Sequence, residues 1–77
     1  MKYICIQFLS DDRQEIVLFS KQIDHDKMFQ CLRYLDVMPR SAGFVSDDWE
    51  CIGESITLGL SARPKEDTSL LKLHRGL

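Results

Sequence analysis

Residues 3–20 read YICIQFLSDDRQEIVLFS and predict a β-hairpin. Its two arms, residues 3–9 and 15–20, are rich in the β-branched and aromatic side chains that favour strands. Between the arms, serine and aspartate supply a turn, because their short polar side chains hydrogen-bond to the local backbone. A strand–turn–strand unit is therefore expected near the start of the chain.

The arms of this hairpin are apolar on both faces. In the first arm, Ile4, Ile6 and Phe8 share one face, and Tyr3 and Cys5 share the other. A sheet with one face in water normally alternates more cleanly between apolar and polar side chains. We therefore expect the second face to be covered, either by the C-terminal segment or by another copy of the chain.

Four side chains are candidates for an interface if a partner covers that face. They are Tyr3, Val17, Phe19 and Trp49. Trp49 is the most prominent, because tryptophan is enriched at binding hot spots, but it is also the largest side chain available to fill a small core.

The clearest helix signal follows the hairpin and covers residues 25–36. Asp24 suits the N-cap, and Ile23 and Met28 suit the two positions of a hydrophobic staple. Apolar side chains recur at helical spacing in this segment, namely Met28, Phe29, Leu32 and Leu35. Pro39 is expected to end the pattern, because proline disfavours helical geometry at the residue before it.

The second half of the chain predicts short strands. Residues 41–43 are expected to form a loop, and residues 43–46 and 49–52 to form strands joined by a turn at residues 47–48. Residues 55–60 are expected to resume the strand after a bend at Gly53, because glycine inside a strand often marks a bend.

A short last helix is expected after the strands. Asp67 and Thr68 suit its start. Its apolar side chains are Leu70, Leu71 and Leu73, and its end suits His74, Arg75 and Gly76.

These elements predict one α+β domain over residues 1–77. An antiparallel sheet of about four strands has the main helix packed on one face, in the order β-β-α-β-β, followed by the short C-terminal helix. The predicted core consists of Ile4, Ile6, Phe8, Ile16, Leu18, Met28, Phe29, Leu32, Leu35, Ile56 and Leu58.

The composition is that of an intracellular globular domain. With 77 residues, 44% hydrophobic and 29% charged, the chain is long enough for one core only. It has no apolar run long enough to cross a bilayer and no export signal, so a cytoplasmic protein without membrane contact is expected. The odd number of cysteines suggests reduced thiols.

The residues that could carry chemistry do not form a recognisable catalytic or metal pattern. His25 and Cys31 lie six residues apart on the predicted helix, about 120° apart around its axis, so they cannot meet. In the cluster at residues 24–26, helix capping explains Asp24 better than metal binding does. We therefore expect no catalytic residues, no cofactor, no metal and no enzymatic activity.

The charge distribution offers one alternative. Residues 1–60 hold six Lys and Arg against ten Asp and Glu, whereas residues 61–77 hold four against two. A weak nucleic-acid-binding protein would use this basic C-terminal segment. Its contacts would be Arg63, Lys65, Lys72 and Arg75.

Residues 41–45, Ser-Ala-Gly-Phe-Val, and residues 51–59, Cys-Ile-Gly-Glu-Ser-Ile-Thr-Leu-Gly, resemble small uncharacterised proteins of tailed phages and enterobacterial prophages. The resemblance implies an accessory product in a bacterial cytoplasm, of the kind that binds and redirects a host or phage protein. The leading hypothesis is therefore a non-enzymatic protein-interaction module, with a homodimer or a bacterial or phage protein as its partner.

Overall fold

The computed structural model describes residues 1–74 as an α+β fold, as the sequence predicts. The chain runs through β1 (Lys2–Phe8), β2 (Gln14–Phe19), α1 (His25–Leu32), a 3-10 turn (Arg33–Leu35), β3 (Val37–Val45), β4 (Cys51–Ile52), β5 (Glu54–Ser55), β6 (Leu60–Ser61) and α2 (Pro64–His74). Strands β2, β1, β3 and β4 form one antiparallel sheet in that order, and β5 pairs with β6. No helix within residues 1–74 is long and apolar enough to cross a membrane.

Strand β1 lies at the centre of the sheet and sets the register of both neighbours. Ile4 is opposite Val17 of β2 and opposite Ala42 of β3. The pairing with β3 shifts between Cys5 and Ile6, so one extra residue of β3 is accommodated there as a bulge. The five side chains of the predicted hairpin core, Ile4, Ile6, Phe8, Ile16 and Leu18, therefore lie on the central strand or on its neighbour β2.

The loop predicted for residues 41–43 is wrong, because these residues belong to strand β3. Residues 41–43 are not a loop but the buried middle of a nine-residue strand, in which Pro39 also lies. Pro39 is tolerated next to the bulge, where the regular ladder is interrupted. The predicted strand over residues 55–60 is likewise wrong, because residues 56–59 form the turn between β5 and β6.

Helix α1 ends earlier than the sequence predicts. It continues only as a 3-10 turn to Leu35, and Asp36 then takes a left-handed backbone conformation with φ of 58°. This reversal, rather than Pro39, ends the helical segment. At the other end, Asp24 occupies the N-cap as predicted, but its side chain makes no capping hydrogen bond.

One face of the sheet packs on α1. The buried side chains there are Ile4, Ile6, Phe19, Val37 and Ala42, with Phe8, Val17, Met28, Phe29, Leu32, Leu35, Leu58 and Leu60 packed against them. Most of the predicted core is confirmed by this cluster. The prediction that Ile56 belongs to the core is wrong, because this residue lies on the β5–β6 turn and is 89% exposed.

The opposite face of the sheet packs on α2. Its buried cluster consists of Tyr3, Cys5, Ile16, Val45, Cys51 and Leu71. The sequence left two alternatives for the cover of the second hairpin face, the C-terminal segment or another copy of the chain. In the structure, the C-terminal helix lies on this face. Helix α2 begins at Pro64, which suits the first helical position, and not at Asp67. The predictions for Arg75 and Gly76 lie outside the described residues.

Candidate functional site

A buried carboxylate joins α2 to the sheet. Asp67 has no exposed surface, and its oxygens accept hydrogen bonds from the Tyr3 hydroxyl and from the backbone N–H and guanidinium of Arg63. The Arg63 Nη2 atom lies 2.9 Å from Asp67 Oδ1 and also donates to Gln14 Oε1 at 2.8 Å. The charge of Asp67 is therefore paired and hydrogen-bonded, as burial requires.

The two buried thiols beside this network are held in the protonated form. Burial, followed by the nearby negative charge of Asp67, raises the pKa of Cys51 to about 11. The same two causes raise the pKa of Cys5, although Arg63 opposes them. A nucleophilic cysteine needs the opposite, a lowered pKa in an accessible position. The geometry around Asp67 is that of a structural clamp.

A cleft opens on the other side of the sheet, between the start of α1 and the β5–β6 segment. We call it the His25 cleft, and its volume is about 410 Å³. Its lining consists of Lys2, Asp24, His25, Phe44, Gly53, Glu54, Ser55, Ile56 and Thr57. Lining of this kind combines an apolar wall with a few polar groups, as small binding sites do.

His25 borders this cleft as a positioned hydrogen-bonding group. Its ring is 4% exposed and stands edge-on to the rings of Phe19 and Phe44, at centroid distances of 5.3 and 5.7 Å. Its Nε2 atom lies 2.9 Å from the carbonyl oxygen of Gly43, so Nε2–H donates a hydrogen bond to that oxygen. This bond and the two ring contacts fix the orientation of the imidazole beside the cleft.

The wall of the cleft is apolar and its rim is acidic. Phe44 is 38% exposed, and Ile56, on the β5–β6 turn, is almost fully exposed to solvent. Asp24 and Glu54 are exposed at the rim, whereas the ammonium group of Lys2 is bound to the carbonyl oxygen of Ile23 at 2.9 Å. The cleft therefore offers apolar surface beside two carboxylates and one ammonium group, so the charge of its lining is negative on balance.

Local hydrogen bonds hold the β5–β6 segment against α1. The backbone N–H of Asp26 donates to Thr57 Oγ1 at 3.3 Å, and the N–H of Leu58 donates to Ser55 Oγ at 3.2 Å. Gly53 has φ of 80°, and a Cβ there would come 3.2 Å from the Phe44 ring. Hydrogen bonds from backbone N–H groups to side-chain hydroxyls therefore position the residues that shape this wall.

Strand β2 is an outer strand of the sheet and presents a second candidate surface. Within the described chain it pairs with β1 alone. The backbone N–H of Phe8 donates to the Arg13 carbonyl at 2.8 Å, which makes Phe8 and Arg13 a hydrogen-bonded pair. Because such pairs alternate along an antiparallel ladder, the backbone groups of Gln14, Ile16 and Leu18 point away from β1.

The predicted interface residues do not share one surface. Tyr3 and Phe19 are buried within the chain, in the clusters that pack on α2 and α1 respectively. Val17 is partly buried on the α1 face of β2. Trp49 is 37% exposed at the turn before β4, beside Met1, with φ of 62°. Each face of the hairpin packs on a helix of the same chain, α1 on one side and α2 on the other.

The predicted nucleic-acid contacts are also dispersed. The guanidinium of Arg63 is bonded to Asp67, Glu66 and Gln14 within the chain. Lys65 and Lys72 are exposed on α2, and Arg75 lies beyond residue 74. This leaves two described lysines of the predicted basic set free to meet phosphate.

Sequence reasoning missed the His25 cleft, because its members come from four separated segments. Within residues 1–74, no group of three or more His, Cys, Asp and Glu side chains is placed to hold a metal ion.

Comparisons of the chain with protein-family models, with curated proteins and with solved structures give no match.

Proposed function

We propose that this protein is a non-enzymatic protein-interaction module whose His25 cleft binds a segment of another polypeptide. The observation that carries the proposal is the combination, in one cleft, of the exposed side chains of Phe44 and Ile56 with the rim carboxylates of Asp24 and Glu54. An apolar pocket with a few placed polar groups is the usual form of a recognition site.

The size and charge of the cleft select the kind of segment. A volume of about 410 Å³ takes one or two apolar side chains. Asp24 and Glu54 at the rim favour basic residues on either side of them, because complementary charge steers and orients association. The occupant is therefore a basic segment with an aromatic or aliphatic anchor.

The state of the thiols supports a role without catalysis. Cys5 and Cys51 have raised pKa values and are buried, so neither provides a thiolate at neutral pH. The resemblance of residues 41–45 and 51–59 to small phage and prophage proteins favours a bacterial or phage protein as the partner, in the cytoplasm.

Site-specific photo-crosslinking tests this proposal. A photoreactive amino acid replaces Ile56 at the cleft, and in a control protein it replaces Tyr34, which is 82% exposed but does not line the cleft. After irradiation in bacterial cells, protein adducts are expected from position 56 and not from position 34. Equal adducts from both positions would overturn the proposal.

A defined peptide probe tests the chemistry. The pentapeptide Arg-Leu-Trp-Leu-Arg, blocked at both ends, is titrated by NMR against its counterpart with glutamates in place of the arginines. Shifts at Phe44 and Gly53 are expected with the basic peptide only. Binding of the acidic peptide, or shifts away from the cleft, would contradict the proposed acidic rim.

A further inference from the structure

Asp24 occupies the N-cap position of α1 without the hydrogen bond that is usual for an N-cap side chain. Its backbone is extended, with φ of −69° and ψ of 146°, and its carbonyl oxygen accepts from the N–H of Met28 at 3.0 Å. An N-cap aspartate normally also accepts, through its side chain, from the N–H of the second or third helical residue. Here the carboxylate makes no such bond, and within residues 1–74 it has no hydrogen-bond or ion-pair partner.

Thr57 supplies the cap in place of Asp24. The second helical residue, Asp26, donates its backbone N–H to Thr57 Oγ1 at 3.3 Å, across 31 positions of the chain. A hydroxyl from the β5–β6 side of the His25 cleft therefore satisfies a donor that the N-cap side chain would otherwise satisfy. The Asp24 carboxylate is left exposed at the cleft, which it lines.

We infer, on the basis of the proposed function of the cleft, that Asp24 is its specificity-determining residue. The carboxylate of Asp24 forms an ion pair with an arginine or lysine side chain of the bound segment, and Thr57 keeps it available by capping α1. The N–H groups of these cationic side chains form short, charge-assisted hydrogen bonds with carboxylates. A carboxylate that already accepted from helix N–H groups would have fewer lone pairs for such a ligand.

The other charged groups of the cleft are less suited to this role. Lys2 lines the cleft, but its ammonium group donates to the carbonyl oxygen of Ile23 at 2.9 Å and, within the described chain, makes no ion pair with Asp24. Glu54 is an exposed carboxylate on β5. Its side chain has one more rotatable bond than that of aspartate, so its immobilisation in an ion pair costs more conformational entropy. Asp24 therefore gives the stronger ion pair.

A double-mutant cycle between protein and ligand tests the ion pair in the intact chain. The ligands are the blocked pentapeptide Arg-Leu-Trp-Leu-Arg and its counterpart with the neutral residue citrulline in place of both arginines. Dissociation constants are taken from the NMR shift of the Gly53 amide. We expect D24N to bind the arginine peptide about fivefold more weakly than the unaltered protein does, as for an ion pair that remains partly hydrated. Both proteins should bind the citrulline peptide equally.

Three controls accompany D24N. Asparagine suits an N-cap as well as aspartate does, so circular dichroism should show that D24N remains folded. E54Q removes the other rim carboxylate and should weaken binding of the arginine peptide by about twofold at most. Asp48 is exposed in the turn before β4 and does not line the cleft, so D48N matches the change in net charge and should bind as the unaltered protein does.

Substitution of Thr57 tests how the carboxylate is kept available. T57V removes the hydroxyl and leaves the Asp26 N–H without its acceptor, so the Asp24 carboxylate should turn to that N–H as an ordinary N-cap. Binding of the arginine peptide is then expected to weaken as in D24N, although no charge has been removed. T57S retains the hydroxyl and should restore binding. In a D24N background, T57V should have no further effect.

The outcomes separate this inference from the proposed function. Equal binding of the arginine peptide at the cleft by D24N and the unaltered protein would overturn the role of Asp24 and leave the proposed function standing. An equal loss in D24N and D48N would also overturn it, because net charge alone would explain the loss. Absence of binding by the unaltered protein would overturn both. A T57V effect that persists in the D24N background would overturn the role of Thr57.

Discussion

The Tyr3 hydroxyl donates a hydrogen bond to the Asp67 carboxylate at 2.5 Å and so joins the central strand to α2 across 64 positions of the chain. Both residues are fully buried. Arg63 provides the compensating positive charge on the same carboxylate. The C-terminal helix is therefore held on the sheet by a polar clamp within an apolar cluster.

Removing the buried carboxylate is expected to destabilise the protein strongly. Asp67→Ala leaves the Tyr3 hydroxyl and the Arg63 guanidinium without their shared acceptor, at a cost of about 3 kcal/mol in the free energy of unfolding. Glu66→Ala is the matched control, since Glu66 is exposed and pairs with the same arginine, and it should cost about 0.5 kcal/mol or less. Urea unfolding measures both. Equal losses in the two variants would show that Asp67 is not a clamp.

Stability is expected to fall at alkaline pH. Burial raises the pKa of Cys51 from the ordinary value of 9.0 to about 11, so the folded state holds this proton more tightly than the unfolded state. The resulting stabilisation is complete below pH 9 and is lost as the pH rises through 11. Urea unfolding at a series of pH values should show this decline, and C51A should make it smaller, because Cys5 and Tyr3, whose pKa values burial also raises, still contribute. A decline of equal size in C51A would assign it to other groups.

Thiol labelling should separate one cysteine from the other two. Cys31 is exposed, whereas Cys5 and Cys51 are buried and have raised pKa values. At neutral pH we expect one thiol to react rapidly with a thiol reagent and two to react only after unfolding. The rapid phase should disappear in C31S. Rapid labelling of Cys5 in the folded protein would contradict the structural role given to the buried thiols.

Gly43 is expected to tolerate no side chain. A Cβ at this position would overlap the carbonyl oxygen of Ile52 on β4, so Gly43→Ala should separate the two strands and cost about 3 kcal/mol. Gly59→Ala meets no atom within 4 Å and strains only a backbone with φ of 66°, at about 1 kcal/mol. Thermal unfolding of the two variants checks the order. A larger loss at Gly59 would contradict it.

The nucleic-acid alternative leads to a separate measurement. Arg63 is bonded to Asp67. Among the predicted nucleic-acid contacts that the structure describes, this leaves Lys65 and Lys72 as the exposed basic residues. We expect no binding to single- or double-stranded DNA or RNA in fluorescence titrations at low salt. Binding that weakens steeply with added salt, and is lost in K65E/K72E, would favour the alternative instead.

Local patterns were sufficient to predict the hairpin and α1. In the hairpin, β-branched residues flank a polar turn, and in α1 the spacing from Met28 to Leu35 matches one helix face. The middle of β3 could not be predicted in this way. Pro39 and Gly43 read as loop residues, but a bulge beside β1 accommodates the proline, and close contact with Ile52 requires the glycine.

The candidate sites were less predictable than the fold. Tyr3 and Phe19 had the composition of interface residues, because an apolar side chain that meets a helix of its own chain looks the same in sequence as one that meets a partner. The His25 cleft joins residues from β1, α1, β3 and the β5–β6 segment. Such a grouping depends on contacts between distant segments, which no local period encodes.

The sequence by itself determined that the hairpin would be apolar on both faces and that both faces would need a cover. Alternation along a strand dictates this, because successive side chains point to opposite sides. Only the tertiary structure decided what the cover is: α1 lies on one face, and α2 lies on the other through the Tyr3–Asp67 bond. This choice depends on contacts between segments that are far apart in the sequence, which alternation within one strand does not encode.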